Sequence, residues 1–413
     1  MEQTTAKKNK YEIDMCNGTI MDKLISFSLP LMLSGILQLM FNAVDIIVVG
    51  RFSGSQALAA VGSTSALINV FTNLFIGISL GANVLTARFY AAGREKEVSE
   101  TVHTAVTLAL VSGIIMALVG LVFSKGALAL MGTPDDVIGL SALYMRIYFL
   151  GMPFFMLYNY GAAILRAVGD TKRPLLFLMI AGVINACLNM VLVIVFKLGV
   201  AGVAIATVIS QMISCVLVLR CFCRSESSYR LRFSELGMKG YYLKQIFSVG
   251  VPAGIQSTVI NFSNVLLQSS VNSFGSTAMA GYTAANNLLG FLYVSVNSIT
   301  QACMSFTSQN YGVGKLKRMD RVLADCMILS VVVAVVLGCI CYGFGPEILQ
   351  IYTEDAEVIA CGMEILAYTT ITYFLCGWMD LFPGALRGMG YSAVPMVLSV
   401  IGTVGTRVVW IFG

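Results

Sequence analysis

The chain has 413 residues, of which 57% are hydrophobic and only 11% charged, with a net charge of +5; soluble globular proteins carry about 25% charged residues. A water-soluble enzyme is excluded. A mean hydropathy of +0.83 and 39 glycines point to an all-α polytopic membrane protein, because lipid tolerates apolar surface and glycine-mediated helix packing. The modest positive charge predicts no nucleic-acid partner.

Residues 1–23 have mixed charge and no small-residue cleavage site behind a short apolar stretch, so they are read as a cytoplasmic lead-in and not a signal peptide. Apolar runs then predict crossings at 24–49, 57–87, 98–123, 138–165, 174–196, 200–220, 245–270, 277–309, 322–344, 357–385 and 391–413. Alternate loops collect the basic residues. One set holds Lys7, Lys8, Lys10 and Lys23; Arg88, Arg94 and Lys96; Arg166, Lys172 and Arg173; six bases between 220 and 244; Lys315, Lys317, Arg318 and Arg321; and Arg387. The other set holds only Arg51, Lys125 and Lys197, together with the acidic stretch Glu347, Glu354, Asp355 and Glu357. By the positive-inside rule the amino terminus is cytoplasmic.

The sequence also repeats. Gly54-Ser55-Gln56-Ala57-Leu58-Ala59 reappears as Gly275-Ser276-Thr277-Ala278-Met279-Ala280. Tyr90 to Gly93-Arg94 reappears as Tyr311 to Gly314-Lys315, and Leu165-Arg166-Ala167-Val168-Gly169 as Leu386-Arg387-Gly388-Met389-Gly390, every pair 221 residues apart. Pro30 and Pro252 match at 222. This predicts a duplicated six-helix unit, and because six is even both copies enter from the same side, giving two parallel-related six-helix bundles. The first lobe is expected over 24–222, a basic linker over 223–244 and the second lobe over 245–413. On this arithmetic the second half stops about 30 residues early, so a shortened form of a twelve-helix protein, lacking its twelfth helix, is expected.

Polar residues within the spans carry the chemistry, since an amide or acid in hydrocarbon is costly unless it meets a partner or a wet cavity. Gln38, Asn42 and Asp45 share one face of the first helix; Asn185 and Asn189 are four apart in the fifth; Asn261, Asn264 and Gln268 share a face of the seventh. The stripes read either as walls of a water-accessible cavity or as interhelical glue. Asp45 has no base within a helical turn, which suits a group whose occupancy by a cation or proton responds to ion gradients; the alternative is pairing with a base from another helix. Asp380 is a second such acid, seven residues before Arg387. His103 is the only imidazole, near the basic end of the third helix. Arg166 and Arg387 fit helix-ending chemistry before a glycine. The eleven cysteines show no metal-ligand spacing and read as small apolar residues. No GxxxxGK[ST], HExxH or GxSxG occurs, so no catalytic site and no direct ATP use are expected.

The run Leu-Pro-Leu-Met-Leu-Ser-Gly at 29–35, Val-Asp-Ile-Ile-Val-Val-Gly-Arg at 44–51, Asn-Tyr-Gly-Ala-Ala-Ile-Leu-Arg-Ala-Val-Gly-Asp at 159–170 and Leu-Arg-Gly-Met-Gly at 386–390 together resemble the bacterial multidrug and toxic compound extrusion family, including its DNA-damage-inducible branch. The resemblance spans essentially the whole chain. It implies a monomeric, multi-pass plasma-membrane antiporter that rocks between two states and exports small cationic amphipathic compounds in exchange for Na+ or H+, with no other cofactor. It assigns the coupling-cation site to Asp45, Asn185, Asn189 and Thr207, and associates Pro30 with bending of the first helix. Where many relatives have a second aspartate this chain has Asn189, leaving one formal charge in the site. Gln38, Asn42, Asn261, Asn264 and Gln268 are the expected substrate-cavity residues. The alternatives are a lipid-linked saccharide flippase of related fold, which calls for a more basic cavity, and a non-transporting membrane receptor or scaffold.

Overall fold

A computed structural model describes residues 11–272, 274–350 and 355–412. Lys7, Lys8, Lys10 and Glu354 of the charge pattern lie outside them. Among the described residues every regular element is a helix, as lipid demands of a chain that must satisfy each backbone N–H and C=O within its own segment. In order they are α1 (Met21–Phe52), α2 (Ser55–Ala91), α3 (Glu95–Leu130), α4 (Asp135–Leu150), α5 (Met152–Ala167), α6 (Lys172–Asn189, continued as a π-helical turn over Met190–Val195), α7 (Gly199–Cys223), α8 (Gly240–Asn272), α9 (Ser276–Gly312), α10 (Leu316–Gly343), the short α11 (Gly345–Gln350), α12 (Ala356–Gly388), α13 (Ala393–Ser399) and α14 (Thr406–Phe412), with a π-helical segment over Val400–Gly405 joining the last two.

Eight of these helical stretches are long and apolar enough to cross a membrane, or nine with α4 and α5 counted as one span. The helices α8 and α9 reach 33 and 37 residues with more polar sequences. The expected fourth crossing is broken: α4 and α5 meet at 49°. Its apolar run is continuous, but Pro153 at the start of α5 has no N–H to give α4, and the turn at Gly151 ends one helix and starts the next. The connection after α10 carries the short helix α11.

The repeat is visible in backbone geometry. Gly54 and Gly275 precede α2 and α9 with φ of 87° and 100°, and Gly169 and Gly390 follow α5 and α12 with φ of 95° and 92°. Both of the latter ends close with the same bond, Asp170 N–H to Leu165 O at 2.9 Å and Tyr391 N–H to Leu386 O at 2.9 Å. The Leu-Arg-x-x-Gly motif is thus a left-handed glycine cap, made twice.

The chain forms two compact units, Met1–Ile13 with Leu37–Gly254, and Asp14–Ile36 with Ile255–Gly413. The boundaries fall inside α1 and α8, so each of those helices contributes to both units. In the first unit α2 and α8 cross at Gly77, Gly81, Gly250 and Gly254, where a Cβ on any of the four would strike the opposing backbone; this is small-residue helix packing. The basic stretch after α7 is lashed to the same unit. Tyr229 is fully buried and donates to Glu12 at 2.8 Å, and Lys239 pairs with Glu100 at 2.5 Å.

Candidate functional site

Six helices of the first unit wall a polar cavity of about 330 Å³. From α1 it receives Gln38, Asn42 and Asp45; from α2, Asn69 and Asn73; from α4, Tyr144 and Tyr148; from α5, Asn159; from α6, Asn185; and from α7, Thr207 and Gln211. The spacing explains the convergence: Asn69 and Asn73, Tyr144 and Tyr148, and Thr207 and Gln211 are each four apart and so share a helix face. The two tyrosine rings stack at 6.0 Å between centroids. Among the described residues no Lys or Arg lines this cavity.

At the Asp45 end the amide of Asn189 donates to the Asp45 carboxylate and, at 3.2 Å, to Asn185 Oδ1. Thr207 stands beside the same carboxylate; its hydroxyl donates to Val203 O at 3.0 Å. Asn189 is fully buried, and its own Oδ1, like Gln211 Oε1, has no hydrogen-bond partner. A buried acceptor without a donor is costly. Close by, the Asp45 carboxylate, Asn185 Oδ1 and the Thr207 hydroxyl gather oxygens of the kind that suit a small hard cation or a proton. Among the described residues no cluster of three or more His, Cys, Asp or Glu could hold a metal ion, so Asp45 is the formal charge available to such a guest. Asn189 is the last α-helical residue of α6 before the π-helical turn, a widening frequent at functional sites.

The structure thus brings together Asp45, Asn185, Asn189 and Thr207, with Gln38 and Asn42 in the same cavity. It does not bring Asn261, Asn264 and Gln268 there. These belong to the second unit, where Asn261 bonds back to Ser257 O at 2.9 Å and Asn264 accepts from Arg407 at 2.7 Å. Pro30 also lies outside the cavity; α1 stays helical through it, and Ser34 donates to its carbonyl at 2.8 Å. Asp380 is in the second unit, in an electrostatic neighbourhood that includes Arg387; the Arg387 guanidinium itself donates to Gln256 at 2.5 Å.

His103 is a clamp. Its Nδ1 meets Ser99 O at 2.7 Å while Nε2 accepts the backbone N–H of Arg232 at 3.1 Å, which defines the neutral Nδ1-protonated tautomer. Sequence reasoning passed over Asn69, Asn73, Tyr144, Tyr148, Asn159 and Gln211, although the four-residue spacing within α2 and α4 was a usable signal. It also passed over Arg407.

The MatE family model matches residues 30–191 and 252–412. The chain is 32% identical over 391 residues to the probable multidrug resistance protein YoeA of Bacillus subtilis, covering 92% of this chain and 84% of that one. It is 22% identical to the multidrug export protein MepA of Staphylococcus aureus, with the same 92% and 84% coverage. In structure it superposes on an outward-facing multidrug resistance MATE family transporter of the MOP superfamily with a TM-score of 0.90 at 20% identity, covering 97% of this chain and 89% of the other.

Proposed function

The chain belongs to the multidrug and toxic compound extrusion family of membrane transporters, and from that premise we propose that it is a secondary antiporter exporting cationic amphipathic compounds in exchange for Na+ or H+. The reading rests on one observation: a single carboxylate, Asp45, set in a polar cavity with an unsatisfied buried oxygen on its amide neighbour Asn189. A small cation or proton bound there would satisfy Asn189 Oδ1 and neutralise Asp45. An organic cation entering the same cavity would meet the same carboxylate and the stacked faces of Tyr144 and Tyr148, which attract positive charge. One carboxylate serves one guest well, so the two compete, and a gradient that loads the ion from outside expels the drug. A lining without Lys or Arg favours a cationic cargo over a sugar phosphate. The basic loops support an amino terminus on the cytoplasmic side of the bacterial plasma membrane.

The test is efflux of ethidium from reconstituted vesicles under an imposed Na+ or pH gradient. Wild type is expected to respond to one of the two gradients, and Asp45→Asn to lose at least about tenfold of that response, the scale of a lost charge-assisted contact. A variant that keeps the full gradient response would overturn the reading.

A further inference from the structure

The basic segment between α7 and α8 has two faces. One is fastened to the first unit. Tyr229 and Leu231 are buried, and Leu236 and Leu243 pack against that unit's apolar core. His103 Nε2 takes the backbone N–H of Arg232 at 3.1 Å, Thr104 Oγ1 takes that of Lys239 at 3.4 Å, and the ring of Tyr242 meets Phe89 edge-on at 6.1 Å. Arg232 is extended, with φ −121° and ψ 118°, so burial alternates: Tyr229 and Leu231 face in, Arg230 and Arg232 face out.

The outward face mixes bases with large apolar groups. Phe233 and Tyr241 are each 65% exposed and Met238 is 46% exposed, with Arg230, Arg232 and Lys244 exposed around them in the chain. One exposed apolar side chain is ordinary. Three within nine residues of a basic segment have the composition of a surface that lies in a membrane interface. The depth agrees. The segment docks on Glu100, His103 and Thr104, about 8 to 14 Å along α3 from Glu95 at about 1.5 Å per residue. A helix of 36 residues exceeds the hydrocarbon core by about 24 Å, which leaves about 12 Å for each headgroup layer. The docking contacts therefore sit at headgroup level.

Charge names the occupant. Residues 224–244 hold five bases against two acids. Lys239 is engaged by Glu100 at 2.5 Å, and Arg232 shares a solvent-exposed pair with Glu235 at 2.9 Å, of the kind that contributes little. Among the described residues Arg230 and Lys244 make no ion pair. We propose that this face binds anionic phospholipid of the adjoining leaflet, with Arg230 and Lys244 on headgroup phosphates and Phe233, Met238 and Tyr241 set among the glycerol and upper acyl carbons. The surface uses no residue of the Asp45 cavity, and its test involves no transport, so either reading can fail alone.

The experiment places the full chain carrying Phe233→Trp in mixed nanodiscs of phosphatidylcholine and phosphatidylglycerol, with each lipid brominated in turn. Quenching of the indole at position 233 is read after subtracting the signal of Trp378 and Trp410 measured in wild type. Both lipids are expected to quench, with phosphatidylglycerol preferred at least about tenfold at low salt. Adding Arg230→Gln and Lys244→Gln is expected to bring the preference within about twofold, since each base beside an anionic leaflet is worth about fivefold. Arg230→Lys with Lys244→Arg should keep the preference and show that the fold is intact, and Lys317→Gln, a base on α10, should leave it unchanged. An indole that neither lipid quenches, equal quenching by the two, a preference that survives the double Gln variant, or one lost in the charge-keeping pair overturns the proposal. Abolition of the quenching by glycerol 3-phosphate overturns it in favour of a soluble phosphate.

Discussion

At Asn189 one amide holds two neighbours and leaves its own oxygen without a donor. Replacing it by aspartate would put a second carboxylate beside Asp45. Two acids that share a site bind a cation more tightly and hold a shared proton to higher pH. We expect Asn189→Asp to lower the half-saturating Na+ concentration about tenfold if Na+ couples, or to move the half-maximal pH of transport up by about one unit if H+ couples. A variant with both values unchanged places the coupling site elsewhere. His103 gives the opposite expectation. Since it ties α3 to the backbone of Arg232 in a neutral tautomer, His103→Ala should cost about 1 to 2 kcal/mol of stability, seen as a lower unfolding midpoint, with the gradient response of efflux intact.

Between helices, the four glycines at the crossing of α2 and α8 set how close two backbones come. Gly254→Val would overpack a contact with Leu74 and is expected to destabilise by about 1 to 3 kcal/mol. Gly290→Ala, on α9 where an added Cβ meets nothing within 4 Å, serves as the control and should be neutral or slightly stabilising, because alanine favours helix; thermal unfolding in detergent compares the two. The helices and their repeated ends were legible in the sequence because hydropathy and left-handed glycines are local properties, as Gly169 and Gly390 illustrate. The break between α4 and α5 was not, since apolar composition runs straight through Gly151 and Pro153 while direction changes. The cavity was half legible. Its α1, α6 and α7 walls were named through Asp45, Asn185, Asn189 and Thr207, whereas the contribution of α2, α4 and α5 depends on which helix faces meet, and that is decided by packing between segments far apart in the chain. Arg407 shows the same limit, for its partners Ser263 and Asn264 lie 144 and 143 residues away.

Across the whole molecule the repeats have kept their turns and not their charges: at the spacing of the paired prolines Asp45 of the first half stands against Leu267 of the second. On the proposed function this has an electrical consequence. If Asp45 alone holds the coupling cation, each cycle brings in one positive charge and sends out one monovalent organic cation, so no net charge crosses. Transport would then follow the chemical gradient of the coupling ion and ignore the membrane potential. One uncompensated charge is worth about 2.3 kcal/mol per 100 mV, about a 50-fold difference in the steady-state ethidium ratio. In vesicles clamped with potassium and valinomycin, we therefore expect a potential of about 100 mV to leave that ratio within about twofold of its value at zero potential, while a tenfold ion gradient moves it about tenfold. A ratio that tracks the potential would mean that more than one coupling charge enters per drug, and that a second acid, with Asp380 the first to replace by asparagine, shares the load with Asp45.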